Sequence, residues 1–189
     1  AAFVDQARAG AEDFGRPWAG ISGQPVDADM AGPLGLERPG GIIVSALHEA
    51  SPFRAAGVEV GDVITRVEGA PVNTPNEMVY RMSVAGLGRT AQIALVREGQ
   101  VMELDVAMIA APDMPPRDQM TLADGTLLPG LTVARINPAV IAQMNLPLEA
   151  RGIVVMEAGR FGPRVGLRSG DVLLSINDVT PEQPSDVAA

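Results

Sequence analysis

Hydrophobic and polar positions follow two rhythms along this chain. In "TAQIALVREGQVMELDVAM" (90–108), Ile93 and Leu95 alternate with polar or small residues. After Glu98 and Gly99, Met102, Leu104, Val106 and Met108 alternate with Glu103 and Asp105. A period of two on both sides of a turn pair predicts a β-hairpin. "TPNEMVYRMSVAG" (74–86) has the helical rhythm, with Met78 and Met82 one turn apart. Thr74 suits the N-cap, Pro75 the first helical position, and Glu77 the closing position of a capping box, with Gly86 as the stop. "GIIVSAL" (41–47) is a β-branched run behind two glycines and predicts a buried strand. "SPFRAAGV" (51–58) predicts a helix of barely two turns, from the Ser-Pro start to a Gly57 C-cap. "GDVITRVEG" (61–69) reads as turn, strand, turn. Phe3, Val4, Ala7 and Ala11 have helical spacing over 2–13, ended by Gly15 and Pro17. That short helix is expected to dock on the body or to continue a linker from a preceding domain.

The second half restates the first. "GIVVMEAGRFGPRVGLRSGDVLLSIND" (152–178) follows "GIIVSALHEASPFRAAGVEVGDVITRVEG" (41–69), with Gly166 at the place of Gly57 and "GDVL" (170–173) at the place of "GDVI" (61–64). Two copies joined by "APDMPPRD" (111–118), which has prolines at 112, 115 and 116, imply tandem modules rather than a solenoid. The expected division is a linker helix over 1–15, a first module over 16–111, a Pro-rich linker over 112–118 and a second module over 119–189. The second copy stops at "TPEQPSDVAA" (180–189), where its longer helix would start. Its counterpart of 80–109 is therefore expected to have been cut away or to be supplied by a partner.

A glycine motif precedes each copy. "RPWAGISGQPV" (16–26) places Trp18, Ala19, Gly20 and Ile21 before an extended run, and "LLPGLTV" (127–133) places Leu128, Pro129, Gly130 and Leu131 likewise. The recurrence argues for a shared role beyond a plain turn. A glycine-containing turn directs several backbone N–H groups to one point, a geometry that suits a carboxylate.

Composition narrows the function classes. The chain has 189 residues, 47% of them hydrophobic but only 3% aromatic, so the core must be aliphatic. Its formal net charge of −9 argues against nucleic-acid or anionic-membrane partners. Without cysteine there is no disulfide framework or thiolate metal site. No apolar run is long enough for a membrane helix, and the N-terminal residues lack the form of a signal peptide. His48 is the single histidine and reads as a surface residue beside Glu49. Asp62 and Asp171 follow turn glycines and read as turn caps. Neither a "GxSGG" nor a "GxSxG" segment is present, so no catalytic residue and no metal site is assigned, and no cofactor is expected.

The combination of "RPWAGISGQPV", "GIIVSALHEASPFRAAGVEVGDVITRVEGAPV", "TPNEMVYRM" and the "VREG" hairpin resembles the PDZ domains that follow the protease domain in HtrA/Do-type (Deg) serine proteases. The resemblance covers roughly 16–109 and, less completely, 119–189. It implies a mainly β fold with short helices: two partly open β-barrel modules in tandem, the second incomplete at its C-terminus. It also implies that Trp18, Ala19, Gly20 and Ile21 bind the C-terminal carboxylate of a peptide, with Leu128, Pro129, Gly130 and Leu131 as the candidate loop of module two, where Pro129 lacks one N–H. The peptide would add as a strand beside Ile21, Ser22 and Gly23. Met78 and Met82 would line the groove, and Arg16 would add charge. About four strand hydrogen bonds at ~1 kcal/mol each and one buried side chain at ~2 kcal/mol predict micromolar affinity after the association cost.

The implied function is a peptide-binding regulatory region of a periplasmic serine endoprotease, capturing C-termini or extended apolar segments of unfolded proteins. Its partners would be those peptides, the protease domain of the same parent chain and other copies in a homo-oligomer. Two alternatives stand beside it: the PDZ region of a site-2-type membrane metalloprotease, and a pure oligomer-assembly module.

Overall fold

The computed structural model describes residues 16–188. The helix expected over 2–13 lies outside them. The described residues up to Ala111 form one unit and those from Pro112 onward a second.

In the first unit the strands are β1 (Ile21–Pro25), β2 (Ile42–Leu47), β3 (Val63–Val67), β4 (Ala70–Pro71), β5 (Thr90–Arg97) and β6 (Gln100–Ala107). The sheet runs β1-β2-β3-β5-β6, with β4 paired to β3, and all pairings are antiparallel. Its helices are α1 (Ala28–Ala31), α2 (Pro52–Ala55) and α3 (Pro75–Ala85). Local chemistry accounts for most boundaries. Glu98 (φ 51°) and Gly99 (φ 76°) make the turn that puts Arg97 opposite Gln100. Ser51 caps α2 through Phe53 N–H and Arg54 N–H. Thr74 caps α3 through Glu77 N–H, but the Glu77 carboxylate reaches one residue further back than a capping box would, to Asn73 N–H at 2.7 Å. The "GD" turn works as expected: Asp62 Oδ2 accepts from Glu59 N–H.

The core of this unit gathers Phe53, Ile42, Val44, Ile64, Val67, Ile93, Leu95, Met78, Met82 and Met108, aliphatic apart from one ring.

The second unit is a four-stranded antiparallel sheet in the order β10-β9-β8-β7: β7 (Met120–Thr121), β8 (Thr132–Arg135), β9 (Ile153–Glu157) and β10 (Val172–Leu173). Helix α4 (Pro138–Met144) connects β8 to β9, capped by Asn137 through Val140 N–H. Two apolar clusters explain the unbroken "IVVM" run of β9. Val154 and Met156 pack with Val140 and Ile141, while Ile153 and Val155 pack with Leu122, Leu131 and Val133. Adjacent strand residues point to opposite faces, and here both faces are covered.

The repeat extends to backbone detail. Ser45 is an extra residue on β2 between the pairs Ser22–Ala46 and Gly23–Val44. Met156 is an extra residue on β9 at the same place, between Thr132–Glu157 and Val133–Val155. Gly61 N–H donates to Val44 O as Gly170 N–H does to Val155 O, both at 2.9 Å. Asp171 repeats the turn cap, accepting from Arg168 N–H.

Candidate functional site

Among the described residues β1 ends its sheet, with β2 on one side only. Gly20 O accepts from His48 N–H and Val26 N–H donates to Gly41 O, so the even-numbered positions face β2. In an antiparallel strand the intervening residues turn their backbone groups the other way. The bulged residue lies on β2, which leaves this alternation intact along β1. Ile21 and Gly23 therefore present N–H and C=O outward. Pro25, next in that series, presents only a carbonyl.

The loop leading into this edge is held from behind. Gly20 has φ +61°, and a Cβ there would lie 2.7 Å from Trp18 Cη2 and 3.0 Å from Ser51 Cβ. Only glycine tolerates both the conformation and the contact. The Ser51 hydroxyl donates to Ala19 O at 2.6 Å, while its oxygen also caps α2. Trp18 N–H donates to Ile109 O. Among the described residues, neither Ala19 N–H nor Gly20 N–H donates to a backbone carbonyl.

His48 corrects the surface expectation. It is 6% exposed, and its ring meets Trp18 edge-on at 5.4 Å between centroids. Its Nδ1 accepts from Ala50 N–H at 3.0 Å. His48 and Ser51 are thus the two supports of the glycine loop that sequence reasoning missed. The Ser-Pro signal marked Ser51 as a helix cap, but nothing local announces a second bond to Ala19.

The sequence-predicted residues divide. Trp18, Ala19 and Gly20 are buried, Ile21, Ser22 and Gly23 half-buried, and Arg16 exposed. Met78 and Met82 are 2% and 0% exposed. Met78 and Met82, expected to line the groove, belong to one core cluster with Ile42, Ile64 and Ile93, because α3 turns its apolar stripe onto the sheet. They support α3 from beneath, and α3 packs against β1, β3 and β5. Arg16 is placed by the structure only as an exposed residue ahead of the loop.

The second loop differs. Gly130 has φ +78° and lies so close to Gly159 that a Cβ on the latter would be 2.6 Å from the Gly130 carbonyl carbon. Gly130 N–H donates to Leu122 O at 2.9 Å, and Leu131 N–H to Leu128 O at 3.1 Å. Pro129 contributes no donor. Of the loop Leu128, Pro129, Gly130 and Leu131, the Gly130 and Leu131 amides are thus engaged within the chain.

Residues 18–108 match the PDZ domain family. The chain is 30% identical over 171 residues to a probable periplasmic serine endoprotease, DegP-like, of Pseudomonas putida (strain W619), an alignment covering 86% of this chain and 35% of that protein. It is 31% identical over 182 residues to the DegP-like protein of Pseudomonas fulva (strain 12-X), covering 93% and 37%. For Brucella suis biovar 1 (strain 1330) the identity is 29% over 174 residues, covering 91% and 33%. The chain spans about a third of the length of these relatives. In three dimensions it is similar to the HtrA-type protease AlgW, solved as a serine-to-alanine variant with a decapeptide. The TM-score is 0.51 at 22% identity, over 61% of this chain and 34% of that one, a likeness of fold.

Proposed function

Residues 18–108 are a PDZ domain, in a chain related to DegP-like periplasmic serine endoproteases, and from that premise we propose that the chain is the peptide-binding regulatory region of such an enzyme. The first unit captures C-termini or extended apolar segments of unfolded proteins by strand addition to β1. The periplasm is its place of action, and a protease domain of the same parent chain is the beneficiary of the capture.

One observation carries this reading. An outward edge at Ile21 and Gly23, unpaired among the described residues, adjoins a positive-φ glycine whose N–H is not spent on a backbone carbonyl of those residues. The edge supplies main-chain hydrogen bonds to any sequence, and the loop supplies donors to a terminal carboxylate. Such a site recognises backbone first and side chains second, as a receptor for many unfolded chains must.

The test is fluorescence anisotropy with a labelled peptide ending in an apolar residue, compared as free acid and as amide. Micromolar binding of the acid is expected, with a loss of tenfold or more on amidation. The Gly20→Val chain should bind neither. Equal binding of acid and amide to the unmodified chain would remove the carboxylate role of the loop.

A further inference from the structure

We infer that the second unit's strand-addition edge is occupied by the chain's own segment 117–122, with Met120, Thr121 and Leu122 seated as an internal ligand. The inference rests on the reading of β1 as a peptide-binding edge and assigns the equivalent edge of β8.

The repeat defines that equivalence. Ile21 corresponds to Leu131 and Gly23 to Val133, and the bulges at Ser45 and Met156 fall at the same register. Ile136 N–H donates to Gly152 O, so the even-numbered positions of β8 face β9, and Leu131, Val133 and Arg135 face outward. All three outward positions are engaged. Leu122 N–H donates to Leu131 O at 2.8 Å, Met120 lies opposite Val133, and Arg135 N–H donates to Arg117 O at 2.7 Å. Gly130 N–H closes the pattern on Leu122 O.

These are the groups that an added peptide would need. Its last N–H would go to the carbonyl of the residue after the loop glycine, and its terminal oxygen would take the glycine N–H. Leu122 makes both bonds. Its side chain is 5% exposed and fills the cluster of Leu131, Val133, Ile153 and Val155, as a terminal apolar side chain would. Thr121 adds a hydroxyl–hydroxyl bond to Thr132 at 2.9 Å. The occupant is thus extended over 120–122 with apolar residues at alternate positions, Met120 and Leu122, after a turn at Asp118 (φ 44°), and its extended part matches the ligand class proposed for β1.

Tethering makes the occupancy effective. The short connection 123–130 holds the segment at an effective concentration on the order of millimolar, so a peptide of micromolar intrinsic affinity is weakened roughly 100-fold or more. The chain then offers one open peptide site, that of the first unit, and a second site that opens only when 117–122 is withdrawn.

The test uses the whole chain and a labelled peptide Arg-Asp-Gln-Met-Thr-Leu with a free carboxylate. Gly20→Val first closes the β1 site. In that background no saturable binding is expected up to roughly 100 μM. Adding Met120→Pro and Leu122→Gly removes a strand donor and the buried side chain, and should yield micromolar binding of one peptide per chain. Amide exchange guards against a variant that fails to fold. In the unmodified chain Gly130 N–H and Leu122 N–H should be protected, and in the variant Gly130 protection should fall and return when peptide is added. Saturable binding to the Gly20→Val chain with 117–122 intact overturns the inference. So does rapid exchange of Gly130 in the unmodified chain, or a released segment without a gain of binding. If the unmodified chain binds no peptide at all while Gly130 and Leu122 are protected, the β1 reading fails and the internal pairing stands.

Discussion

Arg97 grips Asp62 through two parallel hydrogen bonds, Nε to Oδ1 and Nη2 to Oδ2, each 2.7 Å long. Asp62 stands just before β3 and is 1% exposed, while Arg97 closes β5. The same guanidinium reaches Gly57 O and the Glu59 carboxylate. One side chain thus ties the end of α2, the "GD" turn and the hairpin together. The hydrogen bond to Asp62 holds the Arg97 guanidinium above its ordinary range against the opposing effect of burial. A raised basic group contributes stability below its unfolded pKa and loses it only as pH rises through the folded one, so the guanidinium stays charged at any working pH. Asp62→Asn puts a donor where Arg97 or Glu59 N–H needs an acceptor. We expect a loss of about 2–4 kcal/mol in urea unfolding, at the lower side of buried-pair values because Arg97 is partly solvated.

Ser51→Ala removes the bond to Ala19 O and the cap of α2 together. The expected cost is about 1–3 kcal/mol. If the hydroxyl positions the glycine loop, peptide affinity falls as well. Titration with the acid and amide peptides checks this: the acid should lose more, since only it uses the loop. Equal losses would make Ser51 a helix cap and nothing further.

On the proposed reading of β1, Pro25 sets the useful length of a ligand. Beyond Gly23 the β1 edge has no N–H to give. Extending a peptide from four to seven residues should therefore change its affinity by less than about threefold, roughly half of one hydrogen bond. Pro25→Ala restores a donor and should make the longer peptide bind better while leaving the shorter one unchanged. Isothermal titration of both peptides against both chains gives the answer.

Asp113 contributes to the acid response of the second unit. Burial pushes its carboxyl upward, but hydrogen bonds from Asn137 and Arg117 outweigh this and hold it below the ordinary carboxylate range. A depressed carboxylate contributes stability above its unfolded pKa and loses it as pH falls through the folded value. Below about pH 4 the unmodified chain should therefore lose stability more steeply than Asp113→Asn. Thermal unfolding of both chains between neutral and acid pH measures the difference.

What could be read from the sequence was whatever local chemistry dictates. The Glu98-Gly99 hairpin, the Thr74 cap and the Asp62 and Asp171 turns depend on near neighbours and stand as expected. Helix α4 was legible but passed over: Asn137, Pro138 and the Val140, Ile141, Met144 spacing form an ordinary helix start. Helix α1 has four residues, too few for a period, and β7 has two. His48 fails for a different reason. Which way a side chain faces depends on what folds against it, and Trp18, thirty positions from His48, carries no mark of that meeting in the sequence.

A strand edge that accepts any backbone also accepts its own kind. Two copies pairing β1 to β1 would continue sheet into sheet, as aggregating proteins do. Here the strand ends at Pro25 after five residues, and Asp27 and Asp29 follow at once. The prophylaxis lies in brevity, a missing donor and like charge: on the proposed reading, enough edge remains to hold a guest, and too little to begin a fibre.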